Sequence, residues 1–269
     1  MGANHPDDQM TMRKRSLGAL LVGLLLTGSA QAQGAYDTSP EIVSTAYQRS
    51  DYYTQAQGSV WAASINEFLQ EADRNVPLVV HAHGCSGLSL DDGLLRSFYM
   101  DHGAANVIML DFLKVKGRNP SCDPYPKVGG WPEVANPDRI KVRRLELERQ
   151  VQWLKDQGFT RIYVSGHSEG GRTVQGLKAE VAGVFVHGMD CKIGRLEFWD
   201  PNPKNRILVF VSSKDPWLDY PRVVVHGCRS LFNRDYVEEY WSDQPTHSPL
   251  VEQEWRDVIS RELTRNRTQ

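Results

Sequence analysis

After residue 30 the chain has no apolar run near the roughly 20 residues that a membrane-spanning helix needs. It has no lysine- and arginine-rich stripe and no acidic tail, and its formal charge is −2, so composition offers no nucleic-acid surface. Cysteine is scarce, at four residues, and none lies in a CxxC pair, which excludes the usual structural zinc spacings. No internal repeat or low-complexity linker divides the sequence. These absences turn attention from nucleic acid, zinc ribbons and solenoids to an ordinary globular domain.

Its start reads as a targeting segment. Arg13-Lys14-Arg15 precedes an apolar or small stretch from Leu17 to Ala30, and Ala30-Gln31-Ala32 supplies an A-x-A site. This three-part pattern predicts a signal peptide cleaved after Ala32, an exported (periplasmic or secreted) protein and no membrane insertion after cleavage. A stretch of about 14 residues is short for an anchor. The expected mature part, 33–269, suits one domain with a sizeable core. Without the three basic and two acidic leader residues, 28 Lys and Arg face 31 Asp and Glu, a balance of −3. An even cysteine count in an exported chain favours disulfides. Cys85–Cys122 and Cys191–Cys228, each joining neighbouring segments, are the expected pairs among three possible pairings, with free buried thiols as the alternative.

Periodicity then gives an alternation. A helix is expected over Ser59 to Glu71, from Val60, Trp61, Ile65, Phe68 and Leu69, followed by a strand over Val76 to Ala82. Asp91 to His102 reads as a helix and Asn106 to Leu113 as a strand. Residues 114–137 hold five prolines and a Gly-Gly pair and read as a long loop. Asp138 to Gln157 reads as a helix with Ile140, Leu145, Leu147, Val151, Trp153 and Leu154 as its apolar set, stopped by Gly158. Strands follow at Arg161 to Ser165, Gly183 to His187, Arg206 to Ser212 and Asp235 to Trp241, with helices at Gly170 to Glu180 and Leu250 to Leu263. Strands apolar on both faces, alternating with helices, predict an α/β fold with a mostly parallel sheet covered on both sides. In such folds the site lies outside the carboxyl ends of the strands.

Those ends carry chemistry. Ile162 to Gly171, IYVSGHSEGG, runs a strand into Gly166-His167-Ser168-Glu169-Gly170, a G-x-S-x-G corner with a strand before and a helix after. Side chains at the flanking glycines would collide with neighbouring strand and helix, while the turn lifts the Ser168 hydroxyl above the sheet. A serine hydroxyl attacks only when a base takes its proton. Arg206 to Asp215, RILVFVSSKD, brings Asp215 to the same edge, and Gln244 to Pro249, QPTHSP, brings His247. Asp219 and Asp243 are the alternatives for the acid. The order Ser168, Asp215, His247 is that of a nucleophile-elbow fold. Developing oxyanion charge calls for backbone N–H donors. Glu169, after the serine, should supply one, and Cys85 in His83-Gly84-Cys85-Ser86-Gly87 the other, with Ser86 as second choice. Ser86, Tyr125, Trp131 and Trp217 are candidates for the substrate pocket. Glu169 and Arg172, three apart on a helix, are expected to pair. Alternatively, either meets a charged substrate.

HAHGCSGL, GHSEGG, VSSKDPWLD and PTHSPL together resemble the oxyanion, elbow, acid and histidine segments of the α/β-hydrolase superfamily, nearest its dienelactone-hydrolase-like branch, over residues 76–263. The resemblance implies an α/β-hydrolase fold without a large lid. It also implies hydrolysis of a small-molecule ester with no cofactor and no metal. Dienelactone hydrolases proper use a cysteine nucleophile where this chain has Ser168, so the resemblance reaches ester cleavage and not lactone-diene specificity. A peptidase, amide or lactone hydrolase shares the chemistry. A catalytically silent binding protein on the same fold is the alternative of another class.

Overall fold

The computed structural model describes residues 51–54, 60–62, 64–113, 137–189, 200–217, 228 and 235–265. The leader, the proline-rich loop after residue 113, Tyr125, Trp131, Cys122 and Cys191 lie outside the described residues.

In chain order the elements are β1 (Asp51–Thr54), β2 (Val60–Ala62), α1 (Ile65–Glu71), β3 (Leu78–Ala82), α2 (Leu90–Asp101), β4 (Asn106–Leu110), α3 (Pro137–Asp156), β5 (Ile162–His167), α4 (Glu169–Gln175), β6 (Gly183–His187), β7 (Ile207–Ser212), β8 (Val237–Ser242) and α5 (Gln253–Thr264). Eight strands form one sheet in the order β2-β1-β4-β3-β5-β6-β7-β8. Strands β3 to β8 are parallel to one another, while β1 pairs antiparallel with both β2 and β4. This is the α/β architecture expected from the sequence: a mostly parallel sheet with helices on both faces.

Strand side chains alternate cleanly between two apolar layers. Val80, Ile108, Val164, Val186 and Val209 join a cluster with Phe68 of α1, Leu147, Val151 and Leu154 of α3 and Val174 of α4. Val79, Val107, Tyr163, Phe185 and Phe210 join the opposite cluster, with Leu95 and Phe98 of α2 and Trp255, Ile259 and Leu263 of α5. Among the described residues, three helices thus cover one face and two the other. That coverage is why β3 to β7 are buried along their whole length. Helix α2 starts on a capping box: the Ser89 hydroxyl accepts from the Asp92 N–H, and the Asp92 carboxylate accepts from the Ser89 N–H.

Most boundaries shift by one to three residues, as fraying ends do. One segment differs in kind. Val60–Ala62, expected as the first turn of a helix, is strand β2, and the helix begins only at Ile65, on the Ser64 cap. Tyr52, Tyr53 and Thr54 supply the opposing strand through the pairs Tyr52↔Ala62, Tyr53↔Trp61 and Thr54↔Val60. A partner strand just upstream in the chain outweighs the local helical spacing. The helix expected over Gly170 to Glu180 spans only Glu169–Gln175.

Candidate active site

Strand β5 ends at His167 and α4 begins at Glu169, so Ser168 has to make the whole corner. It does so with φ 55° and ψ −120°, a left-handed backbone that non-glycine residues adopt only when the surroundings enforce it. The enforcement is visible. The Ser168 N–H donates to the His187 carbonyl of β6 at 2.9 Å. A Cβ on Gly166 would overlap the Gly170 backbone, and one on Gly170 would overlap the Ala82 carbonyl of β3. The two glycines let helix α4 sit directly on the sheet, which makes the corner tight enough to strain Ser168.

Asp215 follows β7 by three residues and is buried. Its Oδ2 lies 2.6 Å from His247 Nδ1, and its Oδ1 accepts the Trp217 N–H at 2.8 Å. Nδ1 of His247 therefore carries the proton, and Nε2 has a free lone pair. Nε2 is buried and has no hydrogen-bond partner among the described residues. The neighbouring His167 donates from Nε2 to the His247 carbonyl at 3.0 Å, with the two rings 4.9 Å apart. Burial lowers the His167 pKa, and the nearby His247 lowers it further. The Trp217 ring lies 5.5 Å from the His247 ring.

Ser168 and His247 line one cavity of about 150 Å³ with Gly84, Cys85, Ser86 and Trp217. A Cβ on Gly84 would stand 3.3 Å from Ser168 Cβ, so the β3 loop passes close over the serine. The fold thus brings Ser168, Asp215, His247, Cys85, Ser86, Glu169 and Trp217 to one edge of the sheet. Neither Cys85 nor Cys228 is a free thiol: both are disulfide-bonded. The expected partners, Cys122 and Cys191, fall outside the described residues.

Glu169 departs from expectation. Its carboxylate does not pair with Arg172, whose Nε points to Met189 Sδ at 3.1 Å. It turns inward, 2.9 Å from Arg139 Nε and 2.6 Å from Arg143 Nη1, with all three side chains at most 5% exposed. Each arginine also grips the loop after β3. Arg143 Nη2 donates to the His83 carbonyl and Arg139 Nη2 to the Cys85 carbonyl at 3.5 Å. The Arg143 guanidinium lies 4.5 Å over the Phe112 ring. Burial, and then the Arg143 charge, pushes the His83 pKa down to about 3. The neutral ring donates from Nδ1 to the Gly84 carbonyl at 2.6 Å and accepts the Phe112 N–H on Nε2 at 3.1 Å.

Sequence reasoning missed this clamp. Arg139, Arg143, Glu146 and Gln150 are all buried and follow one another at helical spacings of four, three and four along α3. That polar stripe beside Ile140, Leu147 and Val151 was the available signal. Of the expected apolar set, Leu145 is 40% exposed.

No family model matches the chain, and no curated protein matches it significantly. Several solved structures resemble its fold. XC6422 from Xanthomonas campestris, described as an α/β serine hydrolase without a lid, is 11% identical over 71% of this chain and 82% of its own, with a TM-score of 0.47. A Pyrococcus furiosus esterase is 16% identical over 84% of this chain and 95% of its own, with a TM-score of 0.46. A Bacillus cereus carboxylesterase is 14% identical over 71% of this chain and 89% of its own, with a TM-score of 0.47.

Proposed function

We propose that the protein is an exported serine hydrolase that cleaves carboxylic esters of small or medium acyl chain through Ser168, His247 and Asp215. The observation that carries this reading is the state of His247. Its Nδ1 is committed to Asp215 at 2.6 Å, its Nε2 has no partner among the described residues, and it lines one cavity with Ser168.

In this reading Ser168 Oγ attacks the ester carbonyl while His247 Nε2 takes its proton. Asp215 fixes the tautomer and stabilises the imidazolium that forms. Nε2 and Oγ share no hydrogen bond before substrate arrives; such contacts commonly tighten only in the substrate complex. The carbonyl oxygen, now negative, is held by the N–H groups of Cys85 and Glu169, each worth about 3 kcal/mol in comparable sites. The tetrahedral intermediate collapses, and His247 returns the proton to the departing alcohol. Water, deprotonated by His247, then attacks the acyl-enzyme and releases the acid and Ser168. The Arg139–Glu169–Arg143 clamp supports this scheme, because it ties the backbone of Glu169 to the loop that bears Cys85.

Export is supported by the leader pattern and by the oxidised state of Cys85 and Cys228. Cys85–Cys122 and Cys191–Cys228 are the pairings we propose.

The test is hydrolysis of p-nitrophenyl esters from acetate to palmitate by the protein and its Ser168→Ala variant, with fluorophosphonate labelling of both. Cleavage of short esters and labelling, both lost in the variant, is the expected result. Asp215→Asn should lower kcat by on the order of 10⁴-fold. No ester cleaved and no label taken up would mean a silent site on a hydrolase fold.

A further inference from the structure

Ester cleavage needs a nucleophile, a base and oxyanion donors, yet the cavity also holds a carboxylate. Asp91, in the first turn of α2, lines it together with Ser89 and His167. The adjacent Asp92 is buried and engaged with Ser89 and His81, whereas Asp91 faces the space in front of Ser168.

Asp91 is also poorly neutralised. Among the described residues its one hydrogen bond is from Ser248 Oγ to Oδ1, at 2.5 Å. No lysine or arginine pairs with it among the described residues, whereas the carboxylates of Glu169, Glu238 and Glu262 each have an arginine. The other described groups lining the cavity bring no positive charge that would cancel it. Ser86 and Ser89 are neutral, Cys85 is in a disulfide, burial lowers the His167 pKa, and His247 must be neutral to act as base. Trp217 also lines the cavity, and aromatic faces attract cations. A carboxylate, an indole ring and a volume of about 150 Å³ fit a small substrate with a positively charged nitrogen.

Building on the ester-hydrolase reading, we propose that Asp91 is a specificity-determining residue that selects esters carrying an ammonium group. The bland alternative is that Asp91 serves only the fold, by complementing the α2 dipole and latching Ser248 next to His247.

Two substitutions separate these roles. Asp91→Asn keeps an oxygen that can accept from Ser248 but removes the charge. Ser248→Ala breaks the latch and keeps the charge. The readout is the ratio of kcat/KM for acetylcholine to that for 3,3-dimethylbutyl acetate, its uncharged carbon isostere, with p-nitrophenyl acetate as a control. A ratio within one enzyme sample is independent of the fraction folded. The wild type should favour the cation by about tenfold or more, as expected for opposite charges meeting near a protein surface. Asp91→Asn should bring the ratio close to one, Asp91→Glu should restore much of it, and Ser248→Ala should keep it. A wild-type ratio near one overturns the proposal, as does a ratio that survives Asp91→Asn or is lost only in Ser248→Ala. So does cleavage of p-nitrophenyl acetate with neither aliphatic ester turned over. If p-nitrophenyl acetate also survives intact, the hydrolase reading fails first and takes this proposal with it.

Discussion

Beneath Ser168 the sheet carries a buried polar cluster on each face, and the two are built on different principles. On the face covered by α3 and α4, the Arg139–Glu169–Arg143 clamp uses full charges and reaches carbonyls in the loop after β3. On the face covered by α2 and α5, His187, Tyr99, Ser165, His81 and Asp92 form a line of short contacts. Tyr99 Oη is 3.0 Å from His187 Nε2 and 2.6 Å from Ser165 Oγ. His81 spans Ser165 Oγ at 3.0 Å and Asp92 Oδ1 at 2.7 Å. With the His81 proton on Nε2, every donor in the line points one way, from His187 to the Asp92 carboxylate. The clamp joins segments that do not pair with each other: a helix, an elbow and a loop. The relay runs across β6, β5 and β3, whose backbones already pair, and ties them to α2 through Tyr99 and Asp92. Two arginines and a carboxylate hold the loop, while hydroxyls, imidazoles and a single carboxylate pack the sheet against α2.

The comparison breaks first at Glu169. Glu169→Gln removes the carboxylate that both buried guanidinium groups contact and should cost about 3–5 kcal/mol, the usual cost of halving a buried ion pair. Urea unfolding of the variant measures it. On the relay face, Tyr99→Phe removes a neutral hydroxyl and leaves the His187 ring short of a partner. Its expected cost is smaller, about 1–3 kcal/mol. Equal losses for the two variants would erase the distinction between the faces.

Acid should act on both faces in the same direction. His83 protonates only near pH 3 when folded, against an ordinary value of 6.5, and burial also pushes His187 well below its ordinary value. Below pH 6.5 the unfolded chain therefore binds protons that the native state refuses, so stability rises with pH across that window. His83 alone should give a slope of about 1.4 kcal/mol per pH unit between roughly pH 3 and 6.5, read from urea titrations at a series of pH values. A flat profile would mean that these imidazoles are not buried neutral.

The smallest effect is a gain. Gly93 lies inside α2, and a Cβ added there would meet nothing within 4 Å. Gly93→Ala should raise stability by about 0.5–1 kcal/mol, measured as a higher urea midpoint, by removing a weak helix former without touching either cluster.

What the sequence made legible follows from how local each signal is. Strands β3 to β7 are mostly apolar runs, and the G-x-S-x-G corner sits between one of them and a helix, so both could be read from a few neighbouring residues. Asp215 and His247 could be placed because strand ends in a parallel sheet share an edge. The β1–β2 hairpin could not. Its strands span four and three residues, too short for a period to declare itself, and Trp61 next to Ile65 imitates a helical face. The clamp was hidden for a related reason. Arg139 and Arg143 look like the solvated side of α3 until the packing of Glu169 against that helix is known. Charge on a helix reads as exposure unless its counter-charge, 26 and 30 residues away, is seen to be buried with it.

The closeness of α4 to the sheet also sets what protein engineering can reach. A saturation library at Gly166 or Gly170 should return no folded variants, since even one added methyl has no volume to occupy. Ser86 and Trp217, on the open side of the same cavity, are free of that constraint. Diversity aimed at substrate range therefore belongs in the loops after β3 and β7, while the elbow is a fixed point around which any descendant of this sequence must be built.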